Sequence, residues 1–183
     1  MHGLVALMEI QTSRLGARTC PDGAPILLLD QNRARWNQLL IRRGLAALTR
    51  GEALTQTPGP YLLQAKIAAC HARARAAAET DWSRIAELYE TLLALIPSPV
   101  IELNRAVAVS MASGSGAALP IVDALASEPS LKTYHLLPSV RGDLLFKLGR
   151  MSEARAEFER AAALTRNARE RDLLLARAAA CVN

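Results

Sequence analysis

Residues 80–107, TDWSRIAELYETLLALIPSPVIELNRAV, decide the fold. The run from Thr80-Asp81-Trp82 through Leu88-Tyr89 reads as the second half of one helical hairpin. Pro97-Ser98-Pro99 marks a turn, and Val100 to Val107, with Leu103-Asn104-Arg105-Ala106, begins the next hairpin. Chains built in this way are helical repeat proteins, which present surfaces to partners rather than carrying chemistry.

Length and composition agree with that start. The chain has 183 residues, enough for one domain with a core of its own or one compact domain with a short appendage. It is 51% hydrophobic but 4% aromatic, and most of the apolar content is Ala and Leu, both strong helix formers. An all-α fold is therefore expected: helical hairpins stacked as an array, preceded by a small helical subdomain. No apolar stretch approaches the roughly 20 residues that span a bilayer. The N-terminal run is interrupted by Glu9 and has no basic leader, so it does not read as a signal peptide. Cys20, Cys70 and Cys181 are odd in number and lack CxxC spacing, which argues against both a zinc site and a disulfide framework. A reducing cytoplasm is the expected compartment.

The net charge is +5, unevenly spread. Up to Ala78, ten Lys and Arg face four acids; from Glu79 onward twelve basic residues meet thirteen acids. The excess in the first 78 residues suits an acidic partner, either nucleic acid or a protein surface, or else an ordinary solvated face. A first helix is expected over about Gly3–Ala17, with Leu4, Leu7, Met8 and Leu15 as its apolar face, followed by a turn at Pro21-Asp22-Gly23. Ile26-Leu27-Leu28-Leu29 reads as a short buried segment. Asp30 is placed as the cap of a helix from Gln31 to about Thr49. Trp36, Leu40, Gly44, Ala47 and Leu48 would share one side of it, while Arg35, Arg42, Arg43 and Arg50 fall within an arc of about 100° beside that face. Arg33 lies on the apolar side, and a partly buried Asp30–Arg33 pair explains it best. Thr57-Pro58-Gly59-Pro60 ends the hairpin, with a third helix to about Arg75. The boundary between a basic subdomain, 1–78, and the repeats, 79–183, is expected in Ala76-Ala77-Ala78-Glu79.

The last third carries the clearest repeat. Gly142, Gly149, Ala154, Phe158 and Ala161 fall at the spacings tetratricopeptide (TPR) repeats use for Gly, Gly, Ala, an aromatic and Ala, across helices of about Leu131–Leu148 and Ser152–Leu164. Trp82, Ile85, Tyr89, Leu92 and Pro97 form a looser version. A middle repeat runs over Asn104–Met111 and Leu119–Ala126 about a flexible turn at Gly114-Ser115-Gly116. A closing helix at about Ala168–Ala179 would turn Leu173, Leu174 and Ala178 inward and Arg166, Arg169, Arg171 and Arg177 outward.

Converging chemical groups are scarce, and no catalytic residue, cofactor or metal ligand is assigned. His2, His71 and His135 are isolated. Cys70 and His71 are neighbours, but adjacent helical residues diverge by about 100° and cannot form a nucleophile–base pair. His135 is read as a hydrogen-bonded packing residue. Asn104, beside Arg105 in an apolar helix, is read as fixing neighbouring turns through backbone hydrogen bonds. Ser113-Gly114-Ser115-Gly116 lacks the Lys of a phosphate loop. Glu153, Glu157 and Glu159 alternate with Arg150, Arg155 and Arg160 as surface ion pairs. No segment reads as a helix-turn-helix, and the Arg35/Arg42/Arg43/Arg50 face is assigned to docking or solvent in preference to phosphates.

Several stretches taken together resemble a known family. They are Gly3–Met8; Leu28–Asn37; Gly59–His71; Thr80-Asp81-Trp82 with Ile85 and Leu88-Tyr89; Pro97–Val100 with Leu103–Ala108; Tyr134–Pro138; and Leu148-Gly149-Arg150 with Glu153-Ala154. In order and spacing they resemble the long C-terminal extension of one group of bacterial extracytoplasmic-function (ECF) RNA polymerase sigma factors. The resemblance implies a parent protein that binds promoter DNA and directs transcription initiation, its polymerase-binding and promoter-reading domains lying upstream and absent from this sequence. The extension would control that activity, in the cytoplasm, by contacting the sigma-factor N-terminal domains in cis, RNA polymerase or a small YCII-like protein. Where the family tends to have acids after Gln31 and Trp36, this chain has Asn32 and Asn37. Two other functions remain open from the residues alone. One is a stand-alone TPR-like adaptor. The other is a small-ligand binder whose groove would be lined by Asp30, Arg33, Trp36, Asn104, Arg105 and His135.

Overall fold

The computed structural model describes residues 1–21 and 23–182, and among them there are nine α-helices, four 3-10 turns and no β-strand. Thr19 and Pro25 form an isolated bridge. The all-α expectation holds. The turn expected at Pro21-Asp22-Gly23 includes Asp22, which lies outside the described residues.

Two compact units emerge, Met1–Pro97 and Ser98–Asn183. The division falls later than the expected one after Ala78, because the helix that follows it packs on the helix that precedes it.

The first unit holds α1 (His2–Thr12), α2 (Gln38–Ala53), α3 (Pro60–Arg73) and α4 (Trp82–Leu95), with 3-10 turns at Leu15–Ala17, Arg33–Arg35 and Ala77–Glu79. α1 stops short of the expected Ala17: Ser13 caps its end and its hydroxyl donates back to the Ile10 carbonyl at 2.6 Å. Its buried face also differs from the one expected. Ala6 and Ile10 are buried, while Leu4, Met8 and Leu15 are exposed. The reason lies in α2, where glycines admit the backbone of α1. A Cβ on Gly44 would stand 2.6 Å from Ile10 Cγ1 and 3.2 Å from the Ala6 carbonyl oxygen, and one on Gly51 would stand 3.3 Å from His2 Cβ. Positions 44 against 6 and 10, and 51 against 2, make α1 and α2 antiparallel. Ala47, Ala65, Ala68 and Ala69 complete this close-packed core with Leu48 and Leu62.

The helix expected over Gln31–Thr49 is divided. Asn32 accepts from the Ala34 N–H and caps the 3-10 turn, Trp36 is extended, and Asn37 accepts from the N–H groups of Leu39 (3.0 Å) and Leu40 (3.1 Å) to start α2. Asp30 caps neither element. Both asparagines therefore act through their side-chain oxygens, a task an acid performs equally well. Ile26–Leu29 is not a buried segment: Leu27 and Leu29 are exposed, and only Leu28 packs against Ala17, Trp36 and Ile41.

The second unit holds α5 (Pro99–Ser113), α6 (Ser115–Leu125), α7 (Leu136–Lys147), α8 (Met151–Leu164) and α9 (Ala168–Ala179), with a 3-10 turn at Pro129–Leu131. Each helix packs on the next, and α5 also reaches α7. Gly114, at φ +90°, is the single residue between α5 and α6, so the link expected to be flexible is a tight one that favours glycine. Gly149, at φ +75°, turns α7 into α8. Phe158 is fully buried against Gly142, where a Cβ would come within 2.9 Å of its ring. Ala154, Ala161 and Ala162 fill the same seam. In α9, Leu174 and Ala178 face inward as expected. Arg177 does not face outward: it pairs with Asp143 and lies 4.3 Å from the Phe158 ring centroid. Arg171 is exposed as expected, while its guanidinium donates back to the Ala162 (3.4 Å) and Thr165 (3.0 Å) carbonyls.

Candidate functional site

Two groups of residues in the first unit carry the features that a partner or ligand would read: the exposed arginines of α2 and a cluster built on Trp36. α2 presents Arg42, Arg43 and Arg50 to solvent, with Arg35 on the 3-10 turn just before it. Arg43 is partly neutralised by Glu9 of α1 at 2.6 Å. Arg35, Arg42 and Arg50 have no carboxylate partner among the described residues.

Trp36 is buried at 3% exposure, and the guanidinium groups of Arg33 (4.9 Å) and Arg14 (5.7 Å) both lie over its ring. Such contacts are favourable when desolvated. Arg33 does not pair with Asp30, which is exposed. It donates instead to the carbonyls of His71 and Ala74 (2.9 Å for the latter) and to the Thr80 hydroxyl at 3.1 Å. Its head thus satisfies backbone acceptors at the end of α3, where helices leave carbonyls without partners. Arg14 and Arg18 both donate to the Gln11 side chain. Burial, then Arg18 and Arg33, push the Arg14 pKa down to about 10. Burial also lowers that of Arg33, partly offset by Glu79.

His71 is buried and edge-on to Trp82 at 5.1 Å between ring centroids. Burial, with Arg14 and Arg33, pushes its pKa down to about 4, so the ring is neutral at pH 7. Burial and Asp81 push the neighbouring Cys70 thiol up, away from the reactive thiolate form. Pocket space of about 360 Å³ adjoins the cluster, lined by Arg33, Trp36, Ile41, Arg73 and Arg75 among others.

The remaining candidates belong to the second unit. Arg105 makes a two-pronged pair with Glu102, both bonds 2.7 Å. Asn104 is exposed, so its expected role in holding neighbouring turns is not seen. His135 Nε2 lies 3.3 Å from Glu170 Oε2, which also accepts from the Thr165 hydroxyl at 2.8 Å. All three residues line a cavity of about 620 Å³. Arg141 joins Asp123 of α6 (2.8 Å) to Glu157 of α8 (3.0 Å).

Sequence reasoning passed over Arg14, Arg73, Arg75, Arg141 and Thr165. The one available signal was an Arg at helical spacing on an otherwise apolar face, which marks Arg141. Among the described residues no group of three His, Cys, Asp or Glu could hold a metal ion, and no helix is long and apolar enough to cross a membrane.

Known proteins add the following. The family model described as "Family of unknown function (DUF6596)" matches residues 1–52. "Uncharacterized protein R00370" of Rhizobium meliloti (strain 1021) is 47% identical over 170 residues, which are 93% of this chain and 40% of that protein. The chain thus spans about two fifths of the length of the curated relative it matches. No solved structure is significantly similar to the chain.

Proposed function

We propose that this chain is the regulatory, protein-docking extension of an ECF sigma factor, with its second unit a TPR-like array. The observation that carries the proposal is the length relation: nearly all of this chain aligns at 47% identity with two fifths of a longer polypeptide. That is what an extension fused to other domains would give. The motifs from Gly3 to Ala154 that resemble such extensions point the same way. The seating of Phe158 on Gly142, with Gly149 at the turn, supports the TPR-like half.

In this proposal Arg35, Arg42 and Arg50 dock on an acidic surface of the sigma domains or of RNA polymerase. Exposed and without carboxylate partners, they can offer their charge without first breaking an ion pair. Arg43 contributes less, because Glu9 already holds it. Control of initiation then follows from contact alone, with no chemistry required of this chain.

Reading the genomic DNA in frame upstream of codon 1 comes first. An open frame encoding two more helical domains, the second with a helix-turn-helix, supports the proposal, and a stop codon just before Met1 removes it. The docking face is tested with R35E/R42E/R50E in the resulting full-length protein. Co-purification with polymerase is expected to fall at least tenfold with unchanged circular dichroism, and unchanged binding would reject this face.

A further inference from the structure

We infer that the pocket lined jointly by Arg33, Arg73, Arg75 and Trp36 is a binding site for a small organic oxyanion, a carboxylate or phosphate carried on an apolar body. The site uses different residues from the docking face and stands independently of it.

Three arginines line one pocket of about 360 Å³, and no acid is among its lining residues. Arg73 and Arg75 are exposed, and their guanidinium groups pair with no carboxylate among the described residues. Two of the lining residues also hold a buried donor without an acceptor: Arg33 Nε, beside an Nη1 that donates twice and an Nη2 that donates once, and Trp36 Nε1, in a side chain 3% exposed. Buried N–H groups without acceptors are rare in folded proteins, and each costs about 1–3 kcal/mol. Both of these lining atoms are donors, so a ligand that satisfies them is an acceptor. The surrounding charge is positive, so that acceptor is an anion.

Glu79 is the nearby acid whose charge reaches Arg33, but its carboxylate accepts from the Arg75 backbone N–H at 3.1 Å and lies outside the lining. The depressed pKa of Arg33 reflects burial that an incoming anion would compensate. Ile41, Ala72 and Ala74 supply apolar wall, and the volume suits a metabolite-sized ligand rather than a folded partner.

The test is an NMR titration of the ¹⁵N-labelled 183-residue chain with inorganic phosphate, phenyl phosphate and benzoate, each at ionic strength held constant with KCl. The Trp36 indole N–H is expected to shift and saturate, more tightly for the aromatic anions than for inorganic phosphate. Saturation by the two phosphates alone assigns a phosphate site, and saturation by benzoate alone a carboxylate site. The exposed pair R73Q/R75Q is expected to weaken binding at least tenfold with circular dichroism unchanged. A response that never saturates, that matches KCl alone, or that persists at full affinity in R73Q/R75Q overturns the assignment.

Discussion

His71 shows how one buried side chain ties stability to pH. Its pKa falls from 6.5 to about 4 because burial, Arg14 and Arg33 all disfavour the charged ring. The unfolded chain therefore binds a proton that the folded one resists. The contribution of this ring is complete above pH 6.5, is lost as the pH falls towards 4 and levels off below that, about 3 kcal/mol in all. Urea midpoints measured from pH 7.5 to 4 should trace this decline, and His71→Gln should flatten it. Little of this was legible from sequence. Arg33 stands out in the sequence as an arginine on an apolar face, but the spacing points to Asp30, one turn away, as its partner. Its actual acceptors are carbonyls and a hydroxyl 38 to 47 residues further on, and no local pattern encodes those.

At the scale of elements, α3 and α9 lie close to where periodicity and punctuation placed them, and the α7–α8 hairpin has the expected small-for-large fit. Of the apolar face expected for α1, Leu7 packs on the core while Leu4, Met8 and Leu15 do not, for a physical reason. In an Ala-rich chain the closest helix approaches are made by small residues, so some of the large apolar side chains that dominate a periodicity count, here Leu4 and Met8, are left outside. Two glycine substitutions separate the effects. Gly44→Ala gains helix propensity but drives a methyl to 2.6 Å from Ile10, and a net loss of about 1 kcal/mol is expected. Gly116→Ala, inside α6 with nothing within 4 Å, should gain roughly 0.5 kcal/mol. Thermal melts of the two variants should therefore move in opposite directions.

Across the whole molecule, the structural division changes how charge is understood. With α4 included, the first unit has eleven basic residues against eight acids, and the second eleven against nine. The strong excess of the first 78 residues is thus not a property of a folded unit. What is left is local: exposed arginines without carboxylate partners, Arg35, Arg42 and Arg50 at and before α2 and Arg73 and Arg75 at and beyond the end of α3. Docking through so few exposed charges should be screened once the Debye length falls below about 10 Å. Raising salt from 0.05 to 0.5 M should weaken complex formation in the native protein and leave R35E/R42E/R50E nearly insensitive. The Arg33 clasp carries a different consequence, for anyone who would cut or graft this chain. The irregular stretch ahead of α2 resembles a disposable loop, yet lengthening or trimming it would withdraw the cation that seals the end of α3. The exposed Thr55-Gln56-Thr57 connection is instead the permissive place for an insertion.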